Sequence, residues 1–416
     1  MPGCAASSIC CSTKETILPI RFSATTSSCV SMVMGCPREV AAIIRHCPAA
    51  GLNEDHNFAG MASCASIPSS QARLCSKGRP PEYSGPRRAV VATRQPHQTQ
   101  GRMTMPHTPQ DWMSEPRIQS RPLHEILIPG THDSGTEGYT VGSPSRTQYY
   151  KINEQLAGGV RFLDMRLAYN SAEDNFHVVH SGDVASWLNF DTVVKWCADF
   201  LVANPGETIL MSIKQEGSFP GGEDAFGRGL TAWHEKHVKN GDWKKDLWYT
   251  DASAIPTVAQ ASGRIVLLRR YVTPLAPSPA DIFFGGFNLA PINSAPQGSF
   301  QVSPPILSFP VGDLQTTVYC AYQDQFTYGG TDKETAIDNL LTEMASATFY
   351  KGVPLHQAWF FNFASTASPG PLRAANEINP WLQQKLSALK HKIYGVLITD
   401  YAQPAEWQQI VAINFR

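Results

Sequence analysis

Two histidines and an aspartate–arginine pair are the residues of this chain best suited to chemistry. His132 lies after a short apolar stretch in the segment IPGTHDSGT, and His180 ends the apolar run FHVVH. Asp164 and Arg166 lie two residues apart in RFLDMR, so on a strand both side chains point to one face. This set suits acid–base chemistry on a phosphate ester, with the guanidinium holding the phosphate and the imidazoles moving protons.

Composition is that of a globular protein with a large core. The 416 residues are 42% hydrophobic and 17% charged. The formal net charge of -1 and the lack of a basic block disfavour nucleic acid as a partner. No run approaches the ~20 consecutive apolar residues of a membrane span. A lipid substrate would therefore be met from outside the bilayer.

The first 115 residues differ in composition from the remainder. They are rich in Ser, Ala, Pro, Arg and Cys, and their eight cysteines lack paired CxxC spacing. We predict a largely disordered tail over residues 1–115, followed by a catalytic body over residues 116–416 that does not depend on disulfides. A secretory signal is not evident, so a cytoplasmic or peripheral-membrane location is favoured, while secretion and an organelle transit peptide stay open.

From about residue 120, strand and helix patterns alternate. Eight runs are predicted as strands: Leu123–Ile128, Phe162–Leu167, Phe176–His180, Thr208–Ile213, Arg264–Leu268, Thr317–Tyr322, Trp359–Phe363 and Tyr394–Ile398. Helical patterns are Tyr149–Leu156, Phe190–Val202, Ala225–Val238, Lys333–Ala347 and Pro371–Lys390. The alternation predicts an α/β fold of the (β/α)8 TIM-barrel type. A doubly wound sheet would show a glycine-rich phosphate loop after its first strand, which GTHDSG is not.

Polar and ionisable side chains end or follow the predicted strands. Because barrel strands present their carboxyl ends on one face, we expect these residues to share one site. They are His132, Asp164, Arg166, His180, Lys214, Arg269, Arg270, Gln323, Asp324, Asn362 and Asp400.

The motifs resemble those of phosphatidylinositol-specific phospholipase C X-domain proteins of the bacterial type. The segments at 128–136, 155–166 and 180–182 carry the resemblance, and weaker matches occur at 211–214, 264–271, 323–326 and 398–400. The resemblance implies a barrel enzyme acting on phosphatidylinositol. In such enzymes the inositol 2-hydroxyl attacks the neighbouring phosphodiester, which releases diacylglycerol and a cyclic inositol phosphate.

The resemblance also implies how protons are handled. His132 resembles the general base, with Asp400 as the carboxylate that orients it. His180 resembles the general acid, with Asp133 as its carboxylate partner. The chemistry is reasonable, since an imidazole near pKa 6.5 serves either role and a carboxylate fixes its tautomer.

Arg166 resembles the cation that stabilises the phosphate, with help from Asp164. Calcium-dependent relatives carry acidic residues on the corresponding strand, which supply the oxygen ligands of a metal ion. Here the fixed charge of Arg166 replaces that of a metal and would repel a divalent cation. We therefore predict no metal and no other cofactor.

Four further residues resemble those that hold the inositol ring: Lys214, Arg270, Asp324 and Phe326. Charged groups bond to ring hydroxyls, and an aromatic face covers the apolar side of the ring. Bacterial relatives carry tyrosine where Phe326 aligns, so stacking survives and one hydroxyl is lost. A strand register shifted by one residue would replace Arg270 with Arg269, and the sequence leaves this choice open.

Two other functions stay open. A metal-dependent glycerophosphodiester phosphodiesterase would want a Glu-x-Asp pair where this chain has Asp164, Met165 and Arg166. A lipid-binding barrel without turnover would not need the full catalytic set. The leading interpretation remains a phosphodiesterase, expected as a monomer, that acts on an inositol phospholipid at a membrane surface.

Two loops carry further expectations. The segment Ile282–Leu289 is rich in aromatic residues and is predicted either to dock on lipid through Phe283 and Phe284 or to pack as a cover on the barrel. After His180, Ser181 stands where many relatives carry glycine, a modest change in loop freedom.

Overall fold

The computed structural model describes residues 107–416, apart from residues 218, 222–223, 274–280, 294–300, 312–313, 347, 350–352 and 355–357. Most of the predicted disordered tail, residues 1–106, lies outside the described residues. Its last part is ordered, with a 3-10 turn at Trp112–Ser114. The Trp112 indole is buried and donates to the Gly159 carbonyl at 3.0 Å. The folded body therefore includes residues that precede position 116.

The described residues form a curled sheet surrounded by helices. Its strands are β1 (Leu127–Thr131), β2 (Phe162–Asn170), β3 (Asn175–His180), β4 (Asp183–Asn189), β5 (Ile209–Gln215), β6 (Trp248–Tyr249), β7 (Ile265–Arg270), β8 (Phe287–Asn288), β9 (Gln301–Val311), β10 (Leu314–Gln323), β11 (Thr348–Phe349), β12 (Val353–Pro354), β13 (Ala358–Phe363) and β14 (Gly395–Thr399). The helices are α1 (Pro116–Gln119), α2 (Ile152–Gly158), α3 (Phe190–Ala203), α4 (Ala225–Asn240), α5 (Val258–Ala261), α6 (Gly330–Ala345), α7 (Pro371–Ala388) and α8 (Pro404–Ile413).

Parallel pairing dominates the main sheet. Hydrogen bonds order its strands as β6-β7-β5-β2-β1-β14-β13-β10-β9. Every neighbouring pair from β6 to β10 is parallel, and only β9 runs antiparallel to its neighbour β10. Short β8 pairs in parallel with β7. Parallel strands joined by outer helices are the barrel-type α/β arrangement, so the predicted fold class is confirmed.

The predicted helices are confirmed to within three residues as α2, α3, α4, α6 and α7. Local signals explain two of these boundaries. Asn189 caps α3, because its side chain accepts a hydrogen bond from the Thr192 N–H. Gly159 ends α2 with a φ of 112°, which a glycine adopts without strain. Helix α8 was not predicted.

The prediction for the third strand is wrong in one respect. The run that ends at His180 is a strand, β3, but it is not one of the parallel barrel strands. Strand β2 is nine residues long, and β3 folds back on its outer end in antiparallel register, with Leu167 opposite Val178. The earlier residues of β2 pair with β1 on one edge and with β5 on the other. The hairpin returns His180 toward the mouth of the barrel.

Strand alternation separates a dry interior from a polar mouth. The apolar interior includes Ile128, Phe162, Leu210, Val266, Phe361 and Ile398. Two to four residues further along the same strands come the polar side chains His132, Asp164, Arg166, Lys214, Arg270 and Asp400. Gly130 lies on this inward face, where a Cβ would come within 2.8 Å of the Phe162 ring. Glycine is therefore required for β1 to pack against β2.

The outer strand faces pack against two sets of helices. On one side, strands β2, β5 and β7 bury Leu163, Met211 and Leu267 together with residues of α2, α3 and α4. On the other side, Phe360 and Leu397 pack with residues of α6, α7 and α8. Among the helices described, none is long and apolar enough to cross a membrane.

The turn between β3 and β4 gives a test of backbone strain. Ser181 has a φ of 52°, in the left-handed region that costs an L-residue about 1–2 kcal/mol. We expect Ser181→Gly to raise the free energy of unfolding by about 0.5–1 kcal/mol in urea titrations. The matched change Ser186→Gly, within β4, should lower it by about 0.5–1 kcal/mol, because glycine weakens a strand. Equal effects of the two changes would contradict the assignment of strain to Ser181.

Candidate active site

His132 lies directly after β1 and is held at both its backbone and its ring. Its N–H donates to the Thr399 carbonyl at 3.1 Å, and its carbonyl accepts from Gln148 Nε2 at 2.7 Å. Its ring Nδ1 lies 2.9 Å from Asp400 Oδ1. Because a carboxylate accepts, the neutral ring carries its proton on Nδ1 and keeps a lone pair on Nε2.

The Arg166 guanidinium lies between this ring and three carboxylates. Its Nη2 donates to His132 Nε2 at 2.8 Å. Its Nε contacts Asp133, its Nη1 lies 3.4 Å from Glu216 Oε1, and Asp164 Oδ2 lies 3.7 Å from Nη2. Burial acts to lower the pKa of the guanidinium, but the charges of Asp133 and Asp164 outweigh burial and raise it. Arg166 is therefore a permanent cation at the centre of the site.

The environment keeps His132 in its basic form. Burial, followed by the charges of Arg166 and His180, lowers the pKa of His132 well below 6.5. Burial, followed by the charge of Asp133, raises the pKa of Asp400. A neutral imidazole, whose Nε2 lone pair accepts from Arg166 in this structure, is the form that can take up a proton.

Asp133 connects the two histidines. Its Oδ2 lies 3.0 Å from His180 Nε2 and 3.1 Å from His132 Nε2. The residue has a left-handed φ of 42°, so the turn after β1 directs it into the cluster. Burial raises the pKa of Asp133 to about 6, against the opposing charges of Arg166 and His180. The two imidazole centroids are 6.1 Å apart, and His180 Nδ1 donates to the Ser145 carbonyl at 2.8 Å.

Asp164 and Arg270 form a second ion pair next to the contacts of Arg166. Asp164 Oδ1 accepts from Arg270 Nη1 at 3.0 Å, and both side chains are buried. Burial acts to raise the pKa of Asp164, but the charges of Arg270 and Arg166 outweigh it and lower this pKa. Arg269 points elsewhere and donates to Thr273 Oγ1 at 3.2 Å. The sequence left open whether Arg269 or Arg270 faces the site. In the structure Arg270 does.

Lys214 and Asp324 are the other two charged residues expected to bind the headgroup, and both lie at the mouth of the barrel. Lys214 Nζ lies 2.9 Å from Glu216 Oε1, so Glu216 bridges Lys214 and Arg166. The charge of Asp324 acts on the pKa values of Arg166 and Asp400, which places it in the same electrostatic cluster. Phe326 is 46% exposed, and its N–H donates to the Asp324 carbonyl at 3.0 Å. An exposed aromatic face is available there for a ligand.

Sequence reasoning missed two charged residues of this region, Glu216 and Lys333. Glu216 follows Lys214 by two positions and therefore shares its strand face, so alternation alone would have placed it here. Lys333 is fully buried near the start of α6, a position typical of a solvated charge, and its role was not visible in the sequence.

Side chains behind the cluster join β1 to β2. Ser134 N–H donates to the Asp164 carbonyl at 3.0 Å, and Asp164 N–H donates back to Ser134 Oγ at 2.9 Å. Thr131 Oγ1 donates to Gln155 Oε1 at 2.7 Å, and Gln155 Nε2 donates to the Ser134 carbonyl at 2.8 Å. These buried hydrogen bonds fix the loop that carries His132.

One group of donor atoms meets the distance requirement for a metal ion. Ligand atoms of His132, Asp133 and Asp164 lie within 4.8 Å of one another. The Arg166 guanidinium contacts or approaches all three of these residues. A divalent cation bound there would meet a fixed positive charge, so the donor set fits a guanidinium better than a metal.

The aromatic loop is a cover on the barrel. Phe283 and Phe284 are 0% and 5% exposed. The Phe283 carbonyl accepts from Tyr271 Oη at 2.6 Å, and the Phe283 ring packs against Trp248. Lipid docking through these two side chains is therefore wrong. The apolar loop residues bury themselves because the flank of the barrel offers them a dry surface.

Comparisons with known proteins agree with this fold. Residues 119–271 match the family model for phosphatidylinositol-specific phospholipase C, X domain. A 1-phosphatidylinositol phosphodiesterase of Staphylococcus aureus (strain Newman) is 27% identical over 319 residues, which cover 74% of this chain and 92% of that protein. A Listeria monocytogenes protein of the same name is 30% identical over 171 residues, which cover 39% of this chain and 49% of that protein.

A solved structure supports the fold independently. The phosphatidylinositol-specific phospholipase C of S. aureus matches with a TM-score of 0.58 at 23% identity, over 74% of this chain and 98% of that one. Fold and site thus define an α/β-barrel protein with its polar site at the carboxyl ends of the strands. Residues 119–271 match the X domain of phosphatidylinositol-specific phospholipase C, and the chain as a whole is similar to bacterial proteins that carry this domain.

The position of Arg166 predicts how His132 titrates. We expect the ring signals of His132, followed by NMR, to give a pKa below 6.5. In Arg166→Met the pKa should rise toward or above the ordinary value, because a positive charge is removed and the carboxylates remain. Arg373→Met is the control, since Arg373 is exposed and pairs with Glu377. A wild-type His132 pKa at or above 6.5 would contradict the contacts described.

Proposed function

We propose that this chain is a phospholipase C that cleaves phosphatidylinositol to diacylglycerol and a cyclic inositol phosphate. The observation that carries the proposal is the cluster around Asp133, where one carboxylate contacts two imidazoles and one guanidinium. Base, acid and phosphate-binding cation thus lie within ion-pair distance of one carboxylate. The relatives named 1-phosphatidylinositol phosphodiesterase support the choice of substrate.

His132 acts as the general base in this proposal. Its Nε2 takes the proton of the inositol 2-hydroxyl, and Asp400 stabilises the imidazolium through Nδ1–H. Arg166 now donates to Nε2 and would turn its donors to the phosphate oxygens when substrate binds. Substrate binding would thereby free the lone pair that the reaction requires.

His180 acts as the general acid. A protonated His180 would hold its Nε2 proton 3.0 Å from Asp133 Oδ2, while its Nδ1 donates to the Ser145 carbonyl. As the inositol 2-oxygen forms its bond to phosphorus, the bond from phosphorus to the glycerol oxygen breaks. The Nε2 proton then passes to that oxygen, so His132 ends protonated and His180 ends neutral.

Arg166 stabilises the charge that develops on the phosphate. Its planar group offers paired donors to two phosphate oxygens, which a lysine cannot match. Asp164 supports it and is itself neutralised by Arg270. Because the guanidinium lies among the donor atoms that a metal would use, we propose a reaction that needs no metal. This is also what disfavours a metal-dependent glycerophosphodiester phosphodiesterase.

The headgroup residues and the setting complete the proposal. Lys214, Arg270 and Asp324 would bond to ring hydroxyls, and Phe326 would stack on the ring. The protein would act as a monomer that meets the lipid from outside the bilayer. Its catalytic body would comprise the predicted residues 116–416 together with the preceding turn that buries Trp112. A lipid-binding barrel without turnover is an outcome of the test below.

Phosphorus NMR of phosphatidylinositol vesicles in excess EDTA tests this function. We expect a five-membered cyclic phosphate signal from the wild-type protein. His132→Ala and His180→Ala should each slow its appearance by about 10²–10⁴-fold, which is typical of a lost acid or base. His177→Ala is the matched control, because His177 also lies on β3 but pairs with Glu173 at the surface.

Three results would contradict the proposal in different ways. Recovery of a signal only on adding calcium or magnesium would favour a metal-dependent diesterase. No product under any condition, with vesicle binding retained, would favour a lipid-binding barrel. Equal losses in His177→Ala and His180→Ala would remove the catalytic role of His180.

A further inference from the structure

Lys333 is a buried cation that the mechanism above leaves unused. It is 0% exposed and lies in the first turn of α6. Both circumstances are unfavourable, because burial strips an ammonium group of water and the positive end of a helix repels it. Its Nζ donates to Gln323 Oε1 at 3.0 Å and to the Gln325 carbonyl at 3.3 Å. Both acceptors are neutral amide oxygens.

These hydrogen bonds hold the turn that follows β10. Gln323 Oε1 also accepts from the Gln325 N–H at 2.7 Å. Gln323 Nε2 donates to Asn362 Oδ1 at 3.0 Å and to the Phe363 carbonyl at 2.8 Å. The turn is thus joined to α6 through Lys333 and to β13 through Gln323. Between the two joined positions lies Asp324.

The same turn leads to the exposed aromatic residue. Phe326 N–H donates to the Asp324 carbonyl at 3.0 Å, and the Phe326 carbonyl accepts from Thr366 Oγ1 at 2.8 Å. A displacement of the Gln323–Gln325 turn would therefore move both proposed headgroup residues together. The catalytic histidines lie on other strands and would stay in place.

We propose that Lys333 is a positioning residue: its ammonium group fixes the Gln323–Gln325 turn, and through that turn it holds Asp324 and Phe326 where they meet the inositol ring. This inference rests on the proposed function. Electrostatics agree with it, since burial lowers the pKa of Lys333 to about 8 while Asp324 and Asp400 favour its charge.

Kinetics on a soluble short-chain phosphatidylinositol, below its micelle concentration, test the proposal without a contribution from membranes. Lys333→Met keeps an unbranched side chain, shorter by one atom, and removes its donors. We expect KM to rise at least about tenfold while kcat changes less than about threefold. Lys385→Met is the matched control, because Lys385 lies on α7, is half-exposed and pairs with Asp338. It should leave both constants unchanged.

A mutant cycle separates positioning from a general loss of structure. If Lys333 acts through the turn, Lys333→Met should add little to KM in a background that carries both Asp324→Ala and Phe326→Ala. Full additivity of Lys333→Met with that background would overturn the proposal, as would an unchanged KM in Lys333→Met. A wild-type protein that does not turn over phosphatidylinositol would instead overturn the proposed function, and this inference with it.

A second variant covers the case in which Lys333→Met does not fold. Thr366→Val removes one donor to the Phe326 carbonyl, which keeps its hydrogen bond from the Ala367 N–H at 2.9 Å, and it leaves the buried charge untouched. The proposal requires a raised KM with little change in kcat for this variant too. An unchanged KM would show that the position of the turn does not govern headgroup binding, and would overturn the inference.

Discussion

The position of the partly buried Arg166 guanidinium among Asp133, Asp164 and Glu216 is the constraint on which the site depends. A charge removed from water costs several kcal/mol unless partners surround it, and each partner here comes from a different strand or loop. Asp133 follows β1, Asp164 is on β2 and Glu216 directly follows β5. The barrel therefore has to hold three parallel strands in fixed register for the cation to be satisfied. The same contacts direct Arg166 at the Nε2 atom of His132.

Two departures from regular structure bring the imidazole of His180 into the cluster around Arg166. Strand β2 continues past the mouth of the barrel, and the hairpin with β3 returns His180 to within 3.0 Å of Asp133. Asp133 itself adopts a left-handed conformation, which costs about 1–2 kcal/mol and is retained because its carboxylate is held on three sides. Local strain thus lies where the chemistry is proposed.

Alternation along strands made much of the site predictable. The meeting of His132 with Asp400 was implied by the family resemblance. The pairing of Asp164 with Arg166 on one face followed from the sequence, because inward side chains recur every second residue. The antiparallel direction of β3 did not follow from the sequence, since an apolar run does not indicate whether a strand pairs in parallel or antiparallel register. The choice of Arg270 over Arg269 needed the register of β7 against β5. Burial of Phe283 and Phe284 depended on tertiary packing, and Lys333 lies on a helix whose pattern gives no reason to bury it.

The division of roles between the two histidines is tested most directly by changing the leaving group. A soluble inositol phosphodiester with a nitrophenolate leaving group needs no proton on the departing oxygen, whereas one with an alkyl alcohol does. His180→Ala should be slowed by about 10²–10⁴-fold on the alkyl substrate and restored to within about tenfold of wild type on the nitrophenyl substrate. His132→Ala should be slowed on both substrates, because each still requires removal of the hydroxyl proton. An equal loss on both substrates for His180→Ala would contradict its role as the acid. Restoration of His132→Ala by the better leaving group would reverse the two assignments.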